Sequence, residues 1–135
     1  MENQKNNKVV NISLWVVQGL LAALFIMAGL TKIFQPVEAL IESLPWVADT
    51  SIELVRFIGV SELLGGIGII LPSLLKIKPL LATKAAFGLA LVMILAAAFH
   101  GSRGEFGAIG ANLVFAALCI FVAWGRAKKA PIQAK

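Results

Sequence analysis

Four long runs of apolar residues divide the chain, and short polar segments separate them. The runs cover Ile12–Phe34, Ile52–Leu71, Leu80–His100 and Ile109–Trp124, the last with room to extend to residue 126. Each run approaches the ~20 residues that an α-helix needs to cross the hydrocarbon core of a bilayer. All five prolines lie outside the runs, where helix boundaries are expected. The pattern predicts an all-α fold, an integral membrane four-helix bundle formed by one domain over residues 1–135.

The segment between the first two runs has a pattern of its own. Val37, Leu40, Ile41 and Leu44 recur at helical spacing, and the acidic residues lie on another face. This spacing predicts a short helix at the membrane interface, ended by Pro45 and followed by an anchoring Trp46. The helix is interpreted either as a plain amphipathic connector or as a lid over a site.

Composition and charge support the membrane assignment and orient the chain. The sequence is 59% hydrophobic and 14% charged, more apolar than the core of a soluble chain of 135 residues can hide. Eight basic residues flank the runs on the side that carries both termini: Lys5, Lys8, Lys76, Lys78, Arg126, Lys128, Lys129 and Lys135. The loops on the opposite side carry a single basic residue, Arg103. The positive-inside rule therefore predicts that both termini lie in the cytoplasm. The net charge of +5 then indicates contact with the lipid bilayer and no nucleic acid.

Glu62 is the residue in these runs that most demands an explanation. It lies near the middle of the second run, roughly 15 Å from either end at 1.5 Å per residue. A carboxylate at that depth costs at least ~2.5 kcal/mol, so a lipid-facing position is excluded. Gly59, Gly65 and Gly66 share its helical face, and Ser61 forms a small-xxx-small pair with Gly65. This face is predicted to pack inside the bundle, where Glu62 serves a binding site or fixes helix register.

Further polar side chains are predicted to gather near Glu62 in the outer half of the bundle. Lys32 and Arg56 are expected either to anchor helix ends or to act as counter-ions to Glu62 or to an anionic ligand. His100 is interpreted as a boundary residue or a proton carrier. Asn112 is expected either to form a helix–helix hydrogen bond or to join the cluster. The same two alternatives hold for Gln18, although it lies in the inner half of the first helix.

The sequence lacks the residue sets that several classes of function require. One histidine excludes bis-histidine haem ligation within the chain, and no His, Cys and carboxylate set has the spacing of a metal site. Cys119 is the single cysteine, so intrachain dithiol chemistry is excluded. Phosphate-binding glycine loops and Ser–His–Asp sets are absent from the sequence as well. We therefore predict no catalytic residues, no metal and no independent enzymatic activity.

The polar positions and their surroundings resemble one family of membrane proteins. The segments Phe25–Lys32, Arg56–Gly65 and Ala96–His100, together with Asn112, are similar to the pattern of DoxX-like proteins. The resemblance covers about residues 12–126 and implies a four-helix membrane bundle in the inner membrane of a bacterium. It also implies Lys32, Arg56, Glu62 and His100 as the shared polar positions.

Family members are linked to quinone-dependent sulfur oxidation, to oxidoreductase complexes in oxidative-stress defence, and to assembly of other proteins. The first expectation is a non-catalytic subunit of a membrane oxidoreductase system that binds a quinone-like or lipidic ligand at the outer polar cluster. The alternative is an assembly module that contacts a membrane protein partner, or its own copies, and takes no small ligand.

Overall fold

The computed structural model describes residues 2–134, with side-chain environments from residue 7, and this part of the chain is helical without strands. The helices are α1 (Glu2–Phe34), α2 (Val37–Ser43), α3 (Ile52–Leu75), α4 (Leu80–Ser102) and α5 (Phe106–Trp124). A 3₁₀ helix covers Pro45–Asp49 and a π turn covers Gly125–Lys129. Helices α1, α3, α4 and α5 are each long and apolar enough to cross a membrane. The predicted all-α architecture and the short helix between the first two spans are confirmed.

The four long helices run alternately up and down. Helix α3 packs between α1 and α4, and α5 packs on α4 and returns to α1. The edge-to-face pair of Phe25 and Phe115, with ring centroids 6.1 Å apart, is part of this return. We call the end of the bundle that carries α2 the α2 end, and the opposite end, which carries the start of α1 and the π turn, the terminal end. The buried interior includes Leu21, Ile69 and Leu89, whereas large apolar residues cover the outside, as expected for a lipid-facing surface.

Local chemistry explains most helix boundaries. Ser51 caps α3 because its hydroxyl oxygen accepts a hydrogen bond from the Leu54 amide at 3.3 Å. Pro36 and Pro79 immediately precede α2 and α4, where a missing amide proton does no harm. The short helix α2 is held by Leu40, which is buried and packs in one cluster with Val47 and Val55.

The expectation that every proline lies outside the membrane-spanning helices is wrong for Pro72. Helix α3 continues through this residue to Leu75, four residues beyond the predicted end. Proline removes one hydrogen bond, to the carbonyl four residues earlier, and Pro72 lies in the last turn of α3. The backbone then closes through a hydrogen bond from the Ile77 amide to the Pro72 carbonyl at 3.2 Å. At the end of a helix, the loss of one backbone hydrogen bond to proline is therefore tolerated.

Lys76 ends α3 in the left-handed region, with φ of 57° and ψ of 33°. An L-residue with a side chain is strained there, whereas glycine is not. We expect Lys76→Gly to raise the free energy of unfolding by about 0.5–1 kcal/mol, after the entropy that glycine adds to the unfolded chain. Lys76→Ala removes the same charge but keeps the strain, and it should give no gain. Reversible unfolding in mixed micelles, followed by circular dichroism, measures both; equal stability of the two variants would contradict this explanation.

Candidate functional site

The Glu62 carboxylate lies inside the bundle and is paired with a cation. Lys32 Nζ lies 2.8 Å from Glu62 Oε1, and the two side chains are 13% and 5% exposed. The approach lacks the alignment of a hydrogen bond, so charge attraction holds the contact. Lys32 comes from the last turn of α1 and Glu62 from the middle of α3. The pair therefore ties the two helices together at a depth where an unpaired charge is costly.

Glycines make this close pairing of α1 and α3 possible. A Cβ at Gly29 would lie 2.6 Å from the Gly59 carbonyl oxygen and 2.7 Å from the Leu63 amide nitrogen. A Cβ at Gly59 would lie 2.8 Å from Lys32 Cβ, and one at Gly66 would lie 2.9 Å from a side-chain atom of Ile26. Gly59 and Gly66 thus lie in the helix contact, as their position on the Glu62 face suggests. Gly29, on the α1 side, completes the contact.

Gly65 and Ser61 lie on a different side of α3 from the Glu62 pair. A Cβ at Gly65 would overlap the Leu89 side chain, so this glycine admits α4 and not α1. The Ser61 hydroxyl donates to the Phe57 carbonyl within its own helix at 2.9 Å. The small residues of α3 therefore serve two helix neighbours.

Arg56 secures the end of α1 and does not contact Glu62. Its Nη1 donates to the Lys32 carbonyl at 2.8 Å and to the Gln35 carbonyl at 2.7 Å. The Lys32 carbonyl lies in the last turn of α1 and the Gln35 carbonyl directly after it, where intrahelical donors run out. Arg56 thus holds the backbone from which the Lys32 side chain extends, and indirectly positions the Lys32–Glu62 pair.

His100 belongs to a second cluster at the α2 end. Its Nδ1 lies 3.3 Å from Glu105 Oε1, in the connection between α4 and α5. The ring packs edge-to-face against Trp46 and Phe99, with centroids 6.2 Å and 5.6 Å away. The segment after α2 is therefore held against the end of α4 by aromatic contacts.

Arg103 links the same cluster to the 3₁₀ helix. Its Nη1 lies 2.7 Å from Asp49 Oδ2, and its Nε donates to Glu105 Oε1 at 2.6 Å. The hydrogen bonds to Asp49 and Glu105 raise the pKa of Arg103. The hydrogen bond from Arg103 lowers the pKa of Glu105, and His100 lowers it further. The Glu105 carboxylate therefore stays charged at neutral pH and holds Arg103 within the α4–α5 connection, while the Arg103–Asp49 ion pair joins this connection to the 3₁₀ helix.

Gln18 lies at the other end of the bundle, in a buried polar network. Its Nε2 donates to the Ile69 carbonyl at 2.6 Å and to the Ser73 hydroxyl at 3.2 Å. Its Oε1 accepts from Arg126 Nε at 2.7 Å, and Arg126 Nη1 donates to Asn11 Oδ1 at 2.6 Å. We call these residues the Arg126 network. It joins α1, α3 and the π turn, so Gln18 does form helix–helix hydrogen bonds.

Arg126 is a buried polar residue that the sequence pattern does not single out. The charge pattern groups it with the other cations that flank the spans, but only 3% of its surface is accessible. Its guanidinium stacks over Trp15, with Cζ 5.0 Å from the ring centroid. Its hydrogen-bond partners are all neutral oxygens, including the Ala130 carbonyl at 2.7 Å. The sequence feature that could have indicated a buried Arg126 is Gln18, a polar residue within the first apolar run.

Asn112 forms no hydrogen bond to the other polar residues predicted for the site. Its Nδ2 is buried without a hydrogen-bond partner among the described residues. Of the six predicted positions, Lys32, Arg56 and Glu62 are brought together by the structure. His100 lies at the same end in a separate cluster, and Gln18 lies at the opposite end. The predicted outer polar cluster is thus divided between two neighbouring groups.

A lipid-facing groove runs between α3 and α4 beside these groups. Its volume is about 390 Å³, and its walls are almost entirely apolar: Ser61, Leu64, Gly65, Ala85, Gly88, Leu89 and Val92. Ser61 precedes Glu62 in the chain, so the groove lies near the depth of the ion pair. We call it the α3–α4 groove. Among the described residues, no three His, Cys, Asp or Glu side chains are grouped to hold a metal ion.

Comparison with protein families matches the DoxX-like family over residues 16–122. The chain belongs to this family. The predicted resemblance is confirmed, and the four apolar helices of this DoxX-like protein make it an integral membrane protein. Comparisons with curated proteins and with solved structures give no significant match. The matched region includes the six predicted polar positions from Gln18 to Asn112, whereas Arg126 follows it.

Proposed function

We propose that this DoxX-like protein is a non-catalytic subunit of a membrane oxidoreductase system that binds a quinone-like or lipidic molecule. The observation that supports this most directly is the α3–α4 groove. It opens toward lipid and has a volume of about 390 Å³, within the range of small-molecule sites. Apolar walls with a single hydroxyl, from Ser61, suit an isoprenoid or acyl chain better than a polar substrate.

The Lys32–Glu62 ion pair determines which part of the bundle is proposed to contact the ligand. Because Lys32 already neutralises Glu62, that carboxylate has its charge partner within the chain. The polar groups on α1 and α3 thus hold the shape of the bundle, and the ligand is bound mainly by contact along α3 and α4. Substituting Glu62 would change stability and ligand binding together, so the groove itself has to be tested.

The orientation is part of the same proposal. Basic residues collect at the terminal end, and exposed acidic residues such as Glu38, Glu42 and Glu53 lie at the α2 end. This distribution supports a topology with the terminal end in the cytoplasm, and we propose the bacterial inner membrane as the location. The α2 end, with its two polar clusters, then faces outward.

Gly88→Leu tests ligand binding without disturbing a helix contact. A Cβ at Gly88 meets no heavy atom within 4 Å, so leucine is expected to fill the groove and not to push α3 and α4 apart. The matched control is Gly19→Leu on α1, where a Cβ also meets nothing within 4 Å. Purified protein in nanodiscs is labelled with a photoreactive ubiquinone analogue, and the labelled peptides are mapped by mass spectrometry.

We expect labelling of the groove residues on α3 and α4, and at least about a tenfold decrease in Gly88→Leu but not in Gly19→Leu. A loss of ~1.4 kcal/mol in binding free energy is enough for that change. Equal labelling of the two variants, or label spread over all four long helices, would refute the groove as the binding site.

The assembly alternative is favoured by one observation, the exposed acidic surface of α2. Glu38 and Glu42 are exposed and lie outside the ion pairs found among the described residues. Crosslinkers placed at these two positions in native membranes should then trap a defined protein. Recovery of lipid adducts alone would count against an assembly role.

A further inference from the structure

Among the side chains that the structure describes, those at the terminal end of the bundle carry positive charge without acidic partners. Among residues 7–134, the acidic side chains lie at the α2 end or, for Glu62, in the adjoining half of α3. The described cations at the terminal end are Lys8, Lys76, Lys78, Lys84, Arg126, Lys128 and Lys129. All four ion pairs found in this part of the chain involve residues of the other half. The counter-charge for the terminal end must therefore come from outside the described chain.

Two of these lysines line a cleft. It has a volume of about 500 Å³ and lies between the start of α4 and the segment that follows the π turn. Lys78 and Lys84 supply the charge, and Leu80, Leu81 and Ile132 supply apolar wall. A site with two ammonium groups above apolar side chains matches the chemistry of an anionic phospholipid.

Lys84 has a position that general attraction to the membrane surface does not explain. It lies four residues after the start of α4, roughly 6 Å into a membrane span, and its side chain is exposed. An ammonium at that depth extends back toward the headgroup level. Lys78 stands in the α3–α4 connection with a left-handed φ of 46°. The two lysines thus approach the headgroup level from different segments of the chain.

The other wall of the cleft is fixed by the Arg126 network. Arg126 Nη1 donates to the Ala130 carbonyl at 2.7 Å, and the Ala130 amide donates to the Gly125 carbonyl at 2.8 Å. These bonds determine where the chain leaves the π turn, and two residues later Ile132 lines the cleft. Arg126 is therefore a positioning residue for this wall.

We propose that this cleft is a binding site for one anionic phospholipid. Lys78 and Lys84 contact the phosphate, and an acyl chain lies along Leu80, Leu81 and Ile132. The apolar wall is the reason to assign a lipid and not free phosphate. This site is at the opposite end of the bundle from the Glu62 pair and is independent of the proposed quinone-like ligand.

The test compares two pairs of lysines with the same charge. Lys78→Gln/Lys84→Gln removes the two cleft ammoniums, and Lys128→Gln/Lys129→Gln removes two exposed ammoniums at the same end that do not line the cleft. Each protein is equilibrated with equal amounts of phosphatidylglycerol and phosphatidylcholine in detergent, and bound lipid is identified by native mass spectrometry. The experiment is repeated with millimolar inorganic phosphate.

We expect the unaltered protein to retain one phosphatidylglycerol in preference to phosphatidylcholine. The cleft variant should bind it about thirtyfold more weakly, since each lysine near an anionic lipid surface contributes roughly a fivefold factor. The control variant should keep the preference. Equal weakening in both variants would show diffuse attraction and overturn the site, and displacement of the lipid by inorganic phosphate would overturn the lipid assignment.

Discussion

Lys32→Met is expected to destabilise the folded protein by roughly 3–5 kcal/mol, the largest effect of any substitution considered for this chain. The change leaves the Glu62 carboxylate buried without its cation, and that side chain is only 5% exposed. Glu62→Gln should cost less, because Lys32 lies in the last turn of α1 and its ammonium can extend toward water. The free energy of unfolding, measured by reversible denaturation in mixed micelles, gives both values.

The double variant Lys32→Met/Glu62→Gln separates the ion pair from simple loss of packing. It removes both charges, so we expect it to recover most of the stability lost in Lys32→Met. Glu53→Gln is the control, since it removes an exposed carboxylate from the first turn of the same helix and should change stability by less than ~0.5 kcal/mol. If the two single effects simply add in the double variant, the Lys32–Glu62 contact contributes nothing as a pair.

Gly29→Ala is the second substitution with a large expected effect, about 3 kcal/mol of lost stability. The new methyl group would stand 2.6 Å from the Gly59 carbonyl oxygen and 2.7 Å from the Leu63 amide nitrogen. Both are backbone atoms of α3, so no side chain can turn away and the two helices must separate. Because Lys32 lies one turn further along α1, the separation also weakens its pairing with Glu62.

Gly19→Ala provides the comparison on the same helix. Nothing lies within 4 Å of a Cβ at Gly19, so alanine there should be neutral or should stabilise α1 by up to ~1 kcal/mol. Unfolding in mixed micelles compares the two variants directly. A Gly29→Ala protein as stable as the Gly19→Ala protein would mean that α1 and α3 are further apart than the structure places them.

The long elements could be predicted because membrane spans leave a strong trace in the sequence. Twenty apolar residues in a row have few alternatives to a spanning helix, and the α2 spacing stands out against its acidic neighbours. The interior position of Glu62 follows from the cost of exposing a carboxylate to lipid. The end of α3 was harder, since a proline near a helix end either stops the helix or is tolerated within its last turn, as Pro72 is.

The partners of the polar residues could be predicted only in part. Periodicity within a helix separates Arg56 from Glu62, but it cannot show which carbonyl on a neighbouring helix receives the guanidinium. Arg126 shows the limit most clearly. A cation that follows an apolar run has the same sequence pattern whether it extends into water or turns inward, and only the packing of α1 against the π turn decides between them.

The Arg126 network also orders events during synthesis of the protein. Gln18 and Arg126 are 108 positions apart, so α1 is made long before its guanidinium partner emerges from the ribosome. Until then, Gln18 Oε1 and Asn11 Oδ1 lack this donor, and a polar group that becomes buried without a hydrogen bond costs free energy. The network can therefore close only after the fourth span has been made, so its bonds belong to the last stage of bundle assembly.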